Sequence, residues 1–385
     1  MDTMGIMPIP KSPIGSFGGF MKTYNIGVIG GDGIGPEVVD EGLKVLRAVL
    51  KDESFDCDLV EYPYSGAYYL KTKQLVPERV IDEWRTLDAV FLGAIGHPDV
   101  EPGLVERSVI LGLRFGLDLY INLRPIKLYA EHLCPLKNKG PQDIDFVVVR
   151  ENTEGLYAQI GGFLKKGTPD EVATVTGVYT RKGVERAIRY AFDLARERSA
   201  GRENGRDPRL TLVDKSNAIR PQDIWRRTFN EVAGEYPDVQ KDYAYVDACT
   251  MWMLKNPEWF DTLVTTNLFG DIITDLGAML QGGMGIAASG NLHPGKTSMF
   301  EPIHGSAPKY AGKNVACPLG AILAVGMMLD YLGEKGAGRR IETAVAQLLS
   351  SGAIPSADSR SGLSTTQIGD MVVEALSRVE AMPKL

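Results

Sequence analysis

Residues 24–50 read YNIGVIGGDGIGPEVVDEGLKVLRAVL. The run 25–30 is apolar and of strand length, 31–37 is a glycine-rich turn, and 38–50 carries apolar residues at helical spacing. The same order returns at 87–96 (LDAVFLGAIG), 143–152 (DIDFVVVREN), 209–217 (RLTLVDKSN, then PQDIWRRTFNEVAGEY) and 261–271 (DTLVTTNLFGD, then a helix into Gly282). Apolar strands alternating with helices predict an α/β fold with a mostly parallel sheet. Residues 158–180 (AQIGGFLKKGTPDEVATVTGVYT) break the alternation and read as a protruding hairpin around a Gly/Pro turn.

The chain has 385 residues, 44% hydrophobic and 24% charged, enough for more than one globular domain. Its net charge of −7 disfavours a nucleic-acid or anionic-membrane binder, which needs a basic surface. No stretch approaches the ~18 consecutive apolar residues of a membrane span. Cys57, Cys134, Cys249 and Cys317 are far apart, so neither a disulfide framework nor a cysteine zinc site is expected, and a cytoplasmic setting is. Four scattered histidines argue against a histidine metal centre. Residues 1–23 lack the apolar core of a signal peptide and read as an extension, with Met21 an alternative start.

Two glycine motifs invite nucleotide readings. Gly31-Asp32-Gly33-Ile34-Gly35-Pro36 would need glycine at Pro36 to match the dinucleotide fingerprint. Gly290–Thr297 (GNLHPGKT) matches the phosphate-loop pattern by letter, but its flanks read as loop, without the required strand before and helix after.

Three arginines stand out in this acidic chain: Arg114 closes a helix-like stretch, Arg124 lies in YINLRPI, and Arg150 ends FVVVR. Forked guanidiniums on rigid elements suit a substrate with two carboxylates, although separate surface salt bridges would look the same in sequence. Asp271 and Asp275 share a helix face, as paired ligands of a hard cation such as Mg²⁺ or Mn²⁺ or as aspartates complementing a helix dipole. Lys215 closes a strand of the parallel set, where open sheets bind ligands, and Tyr157 follows Arg150 in RENTEGLY.

Taken in order, GDGIGPE, NLRP, VVRENTEGLY, DKSN, NLFGDIITD and EPIHGSAPKYAGK span about residues 24–380. This order resembles the β-decarboxylating dehydrogenases, the family of isocitrate and 3-isopropylmalate dehydrogenases, and LVERSVILGLRFGLDLYINLRP resembles the 3-isopropylmalate branch. The resemblance implies a two-domain fold distinct from the standard dinucleotide-binding fold: 24–119 with 282–385 on the cofactor side, and 120–281 for dimerisation and substrate. It also implies a homodimer with shared active sites. Arg114, Arg124 and Arg150 would bind the malate carboxylates, Asp271 and Asp275 the metal, and Asp247 would join them from the partner subunit. Lys215, also from the partner, would relay the C2 hydroxyl proton, and Tyr157 would protonate C3 after CO₂ leaves. Glu301, His304, Gly305, Ser306 and Ala307 would form the cofactor loop, with Ile34 near the nicotinamide.

At ordinary helical spacing Arg107, Ile110, Leu111 and Arg114 share a face, so Ile110 and Leu111 would meet the third malate substituent. That pair suits an isopropyl group. The isocitrate branch carries Ser-x-Asn there; Ser108 is present, but Ile110 replaces the asparagine and would desolvate a third carboxylate. Isocitrate, tartrate, D-malate and other 3-alkylmalates stay open as substrates, as does a non-catalytic regulatory subunit, although Tyr157, Lys215 and the three aspartates are all present. Lys309 and Tyr310 replace the aspartate and apolar residue typical of NAD-using members; a lysine there would attract a 2′-phosphate, which leans the choice between NAD and NADP toward NADP. Cys317 replaces the usual asparagine of the adenine loop.

Overall fold

The computed structural model describes residues 21–201 and 207–379. Twelve strands are present among them: β1 (Lys22–Gly31), β2 (Phe55–Glu61), β3 (Ala89–Ala94), β4 (Ile121–Lys127), β5 (Asp145–Glu151), β6 (Gly155–Leu164), β7 (Val172–Val178), β8 (Arg209–Asp214), β9 (Gln240–Tyr245), β10 (Thr262–Thr265), β11 (Ala288–Leu292) and β12 (Ser298–Pro302). Ten of them form one sheet in the order β2-β1-β3-β12-β11-β4-β5-β10-β8-β9, and β6 and β7 form a separate antiparallel hairpin. β1 starts at Lys22, two residues inside the stretch read as an extension; residues 1–20 lie outside the described residues.

The sheet has two parallel wings joined by an antiparallel centre. β12 pairs with β11, β11 with β4 and β4 with β5, all antiparallel; the other neighbours are parallel. The wings follow from composition: β3 (AVFLGA) and β10 (TLVT) are buried along their whole length, as strands covered on both faces by helices must be. Helix Leu319–Tyr331 is buried almost all round and packs against helix Gly35–Leu50 at the middle of the largest core. Among the described residues no helix is long and apolar enough to cross a membrane.

The glycine-rich turn after β1 holds its own chain together. Gly31 (φ +80°) and Gly33 (φ +61°) adopt left-handed backbone, and a Cβ at either would lie 2.0 Å from the Ala94 carbonyl oxygen or 1.9 Å from that of Ser306. Between them the buried Asp32 carboxylate accepts the amides of Gly66, Ala67 and Gly96 at 2.7, 3.0 and 3.1 Å. The turn is a clasp between loops, not a phosphate cradle.

The second glycine motif also resolves. Gly290–Thr297 spans the end of β11 and the tight connection to β12, so segments read as loop are two buried antiparallel strands, and no helix begins at Lys296. The phosphate-loop reading fails on that geometry.

Candidate active site

Arg150 faces Asn122 across the β4–β5 ladder, so Asn122, Arg124, Arg150 and Asn152 point to one face of the sheet centre. The helical stretch 104–116 brings Arg114 to this face, its Nη2 3.9 Å from Glu301 Oε1 on β12. Arg150 is 1% exposed; its Nη1 donates to Asp271 Oδ1 (2.6 Å), while Nε and Nη2 donate to Asn267 Oδ1 (3.0 and 2.8 Å). Gly270 permits this approach, because a Cβ there would sit 2.4 Å from Arg150 Cγ. Arg124 Nη1 donates to Thr274 Oγ1 (2.6 Å) and lies 3.9 Å from Asp275, with Nη2 3.5 Å from Asp271. The Tyr157 hydroxyl donates to Asp271 Oδ2 (2.9 Å). Arg114, Arg124, Arg150, Tyr157, Asp271, Asp275 and Glu301 therefore converge within one chain.

Asp271 and Asp275 sit on helix Asn267–Leu280, which starts earlier than the sequence suggested. Asp271 is thus its fifth residue, and its partners are the guanidiniums across the site. Burial alone would raise the Asp271 pKa, but Arg150 and Arg124 overcome it and hold the carboxyl below its usual range. Burial raises that of Asp275, assisted by Asp271 and opposed by Arg124. Burial and the neighbouring Asp271 raise the Tyr157 hydroxyl, keeping a proton available for donation. Burial lowers Arg150, helped by Arg124 and Arg114. The Nε atoms of Arg114 and Arg124 are buried without a hydrogen-bond partner. Clustered guanidiniums with unmatched N–H groups suit an anion with more than one carboxylate.

Lys215 and Asp247 are placed apart from this cluster and pair with each other, Lys215 Nζ to Asp247 Oδ1 at 2.5 Å. The hydrogen bond from Lys215 holds the Asp247 carboxyl low. The Lys215 backbone amide donates to Gln222 Oε1 (2.8 Å), and Gln222 in turn donates to the Tyr179 hydroxyl (3.0 Å) at the foot of the hairpin. Among the described residues of one chain no three His, Cys, Asp or Glu side chains converge as a metal site. Asp271 and Asp275 lie one turn apart on helix Asn267–Leu280 and offer the hard oxygen donors that Mg²⁺ or Mn²⁺ takes, so the pair fits part of the ligand set of such an ion.

The stretch 104–116 is not a uniform α-helix. Arg107–Leu111 forms a widened π-type turn, a feature frequent at functional sites, and it alters the spacing on which the shared-face argument rested. Val105, Val109 and Leu113 enter the core; Ile110 packs partly against it, and Leu111 stays half-buried. Arg107 is exposed, its Nε donating to the Gly103 carbonyl (2.8 Å). The Ser108 hydroxyl accepts the Val76 amide (2.9 Å), fixing the loop before helix Glu78–Trp84.

The loop after β12 carries the remaining residues. The Ile34 amide donates to the Ser306 carbonyl (2.8 Å), joining this loop to the glycine clasp. His304 is largely desolvated, which lowers its pKa, and its Nε2 is buried without a partner. Gly305 has open space where a Cβ would be, and Ala307 takes left-handed backbone (φ +40°) to enter a short turn Pro308–Tyr310. Lys309 Nζ lies 4.7 Å from the centre of the Tyr310 ring. Cys317 is buried in the core beside Gly285. A cleft of about 690 Å³ around Arg85, Asp118, His293 and Lys296 holds none of these residues; the unmatched guanidinium groups mark the site better than volume does.

The profile of the isocitrate/isopropylmalate dehydrogenase family matches residues 25–372. The chain belongs to that family. A 3-isopropylmalate dehydrogenase of Thermobifida fusca is 48% identical over 360 residues, 92% of this chain and 98% of its own. One of Corynebacterium glutamicum is 47% identical over 355 residues, covering 91% and 99%. Among solved structures, isocitrate dehydrogenase from Methylococcus capsulatus is 38% identical with a TM-score of 0.81, covering 92% and 99%. Sequence reasoning missed Asn267, Thr274 and Asn291: all three lie inside stretches it quoted, NLFGDIITD and GNLHPGKT, but their partners Arg150, Arg124 and Glu301 sit on other elements, so their roles show only in the fold.

Proposed function

We propose that the chain catalyses oxidative decarboxylation of (2R,3S)-3-isopropylmalate to 2-oxoisocaproate, the dehydrogenation step of leucine biosynthesis. The observation that carries this reading is the convergence of Arg114, Arg124 and Arg150, with the Nε atoms of Arg114 and Arg124 buried and unmatched, which suits an acid with two carboxylates; the apolar Ile110 and Leu111, in the stretch that carries Arg114, are the residues we assign to its third substituent. The 3-isopropylmalate dehydrogenases at 47–48% identity support it over isocitrate. In this reading Arg114, Arg124 and Arg150 bind and orient the two carboxylates. Lys215 would take the C2 hydroxyl proton and Tyr157 would deliver its proton to C3 after decarboxylation, while a nicotinamide cofactor, when bound, would supply the hydride acceptor. Asp271 and Asp275, with the partner subunit's Asp247, would hold Mg²⁺ or Mn²⁺, which supplies Lewis acidity when bound. A panel of kcat/KM values tests the assignment: 3-isopropylmalate should exceed isocitrate, tartrate and D-malate by at least about tenfold, since one misplaced apolar or polar group shifts discrimination by ~1–3 kcal/mol. A preference for isocitrate overturns it.

The active form in this proposal is a homodimer, with 24–119 plus 282–385 on the cofactor side and 120–281 at the interface. The hairpin β6–β7 exposes Ile160, Phe163, Leu164, Val172 and Val175, and helix Val246–Lys255 exposes Met251 at 67%. A two-stranded hairpin with bare apolar side chains is marginal alone and gains most from a second copy covering it. The same docking would bring Lys215 and Asp247 to the other subunit's arginines.

Lys309 and Tyr310 favour NADP over NAD, because a cation there meets a 2′-phosphate. Lys309→Asp should lower kcat/KM for NADP by roughly 10- to 100-fold, the worth of one charge-assisted hydrogen bond, with NAD unchanged or improved. Equal losses with both nucleotides would remove Lys309 from cofactor choice.

A further inference from the structure

Asn291 on β11 lies opposite Asn122 on β4, and both ends of its amide are engaged. Its Oδ1 accepts Nδ2 of Asn122 (3.1 Å) and of Asn152 (2.9 Å), and its Nδ2 donates to Glu301 Oε1 (2.7 Å). Two converging donors fix which end of the amide is oxygen, leaving the donor end for the carboxylate. Asn122, Asn152 and Asn291 are at most 2% exposed, and the row forms a buried floor on the face that carries Arg124 and Arg150, with the Asn122 and Asn152 amide oxygens left unpartnered. Asn152 Nδ2 also reaches the Leu119 carbonyl (2.9 Å), tying the floor to the segment that follows Arg114.

One distance in this arrangement is unusual. Glu301 Oε1 lies 3.9 Å from Arg114 Nη2, although both are nearly buried and a charge-assisted contact would close to ~2.7–2.9 Å. We infer that Asn291 is a positioning residue that restrains Glu301 from closing onto Arg114, keeping that guanidinium free for the substrate carboxylate and Glu301 free for the cofactor side. A closed Arg114–Glu301 pair would neutralise the cation that must bind the acid. The Asn291 bond competes for the same oxygen, Oε1, and leaves Oε2 outside the network. This role deepens the reading of Arg114 as a carboxylate receptor and rests on it.

Two substitutions test the restraint. Asn291→Ala removes the donor; Asn291→Asp removes it while keeping the acceptor for Asn122 and Asn152, so that one variant stays folded if the other does not. Each should raise KM for the acid roughly 10- to 100-fold with a smaller fall in kcat, the signature of lost binding rather than lost chemistry. Glu301→Gln, which cannot form the ion pair, should suppress this effect: adding Asn291→Ala to it should leave the acid KM nearly unchanged. A crystal structure of the Asn291→Ala or Asn291→Asp variant should show Glu301 in direct contact with Arg114. A carboxylate that stays in place, or KM effects that simply multiply in the Glu301→Gln background, overturns the inference. The crystallographic readout needs no substrate, so a wild-type chain inactive on 3-isopropylmalate would defeat the functional reading while leaving the restraint decided by the structure.

Discussion

Lys215→Ala is expected to lower kcat by about 10²–10⁴-fold, the usual contribution of a general base, while cofactor and metal still bind. Tyr157→Phe should cost a similar factor at a later stage, because it keeps the ring and removes only the hydroxyl that donates to Asp271. The first variant fails to transfer hydride; the second transfers it and then stalls. Lys215 pairs with Asp247, away from the arginines of its own chain, which gives the prediction its sharper form. Mixing the two inactive variants under verified subunit exchange should restore activity, since one site of each mixed dimer then carries both native residues. No recovery would rule out a shared site, while recovery would locate Lys215 opposite the partner's arginines.

The second large effect falls on stability. Asp271→Ala leaves Arg150, with its 2% exposed side chain, facing Arg124 without the carboxylate that links them. Stranding a buried charge costs about 3–5 kcal/mol when the lost partner is itself buried, and the 36% exposure of Asp271 brings that toward about 2 kcal/mol. The melting temperature should fall by several degrees, and sulfate or a dicarboxylic acid should restore part of it by supplying the missing anion. A variant that melts like the parent and ignores sulfate would show that Asn267 alone satisfies Arg150. Charge also sets the sign with pH: the Asp271 carboxyl is held low by Arg150 and Arg124 against burial, so its stabilisation is present above the ordinary carboxylate range and is lost as pH falls through its depressed value.

The legible parts of this protein are those where chemistry requires a residue type. Arg114, Arg124, Arg150, Asp271 and Asp275 were readable because few roles call for that combination, and the structure gathers them on one face. The strands β3, β5 and β10 announced themselves through the apolar runs FLGA, FVVV and TLV and the turns that follow them. β11 did not: ASGNL is short, small and polar, and it is buried because its neighbours use its asparagine, a fact that lies in Asn122, Asn152 and Glu301 rather than in its own sequence. The π-type turn at Arg107–Leu111 was equally hidden, since periodicity arguments assume the spacing that this turn breaks. The glycines of 31–35 were conspicuous and their spacing already argued against the dinucleotide fingerprint, but nothing in the turn itself disclosed the Ala94 and Ser306 carbonyls that crowd them.

The antiparallel centre has a consequence for how the chain is made. β11 and β12, drawn from 288–302, fill the gap between β3 and β4, which were synthesised long before. While the ribosome adds residues 128–287, at ~5–20 residues per second, both neighbouring strands present open edges that only the late pair can cover. The wing β4-β5-β10-β8-β9 has all its strands by residue 265, so a nascent chain arrested before residue 288 carries that wing beside β2-β1-β3, with the facing edges of β3 and β4 both uncovered. A chaperone that shields open sheet edges has its longest task on this polypeptide in that interval, before the closing seam at 288–302 is made.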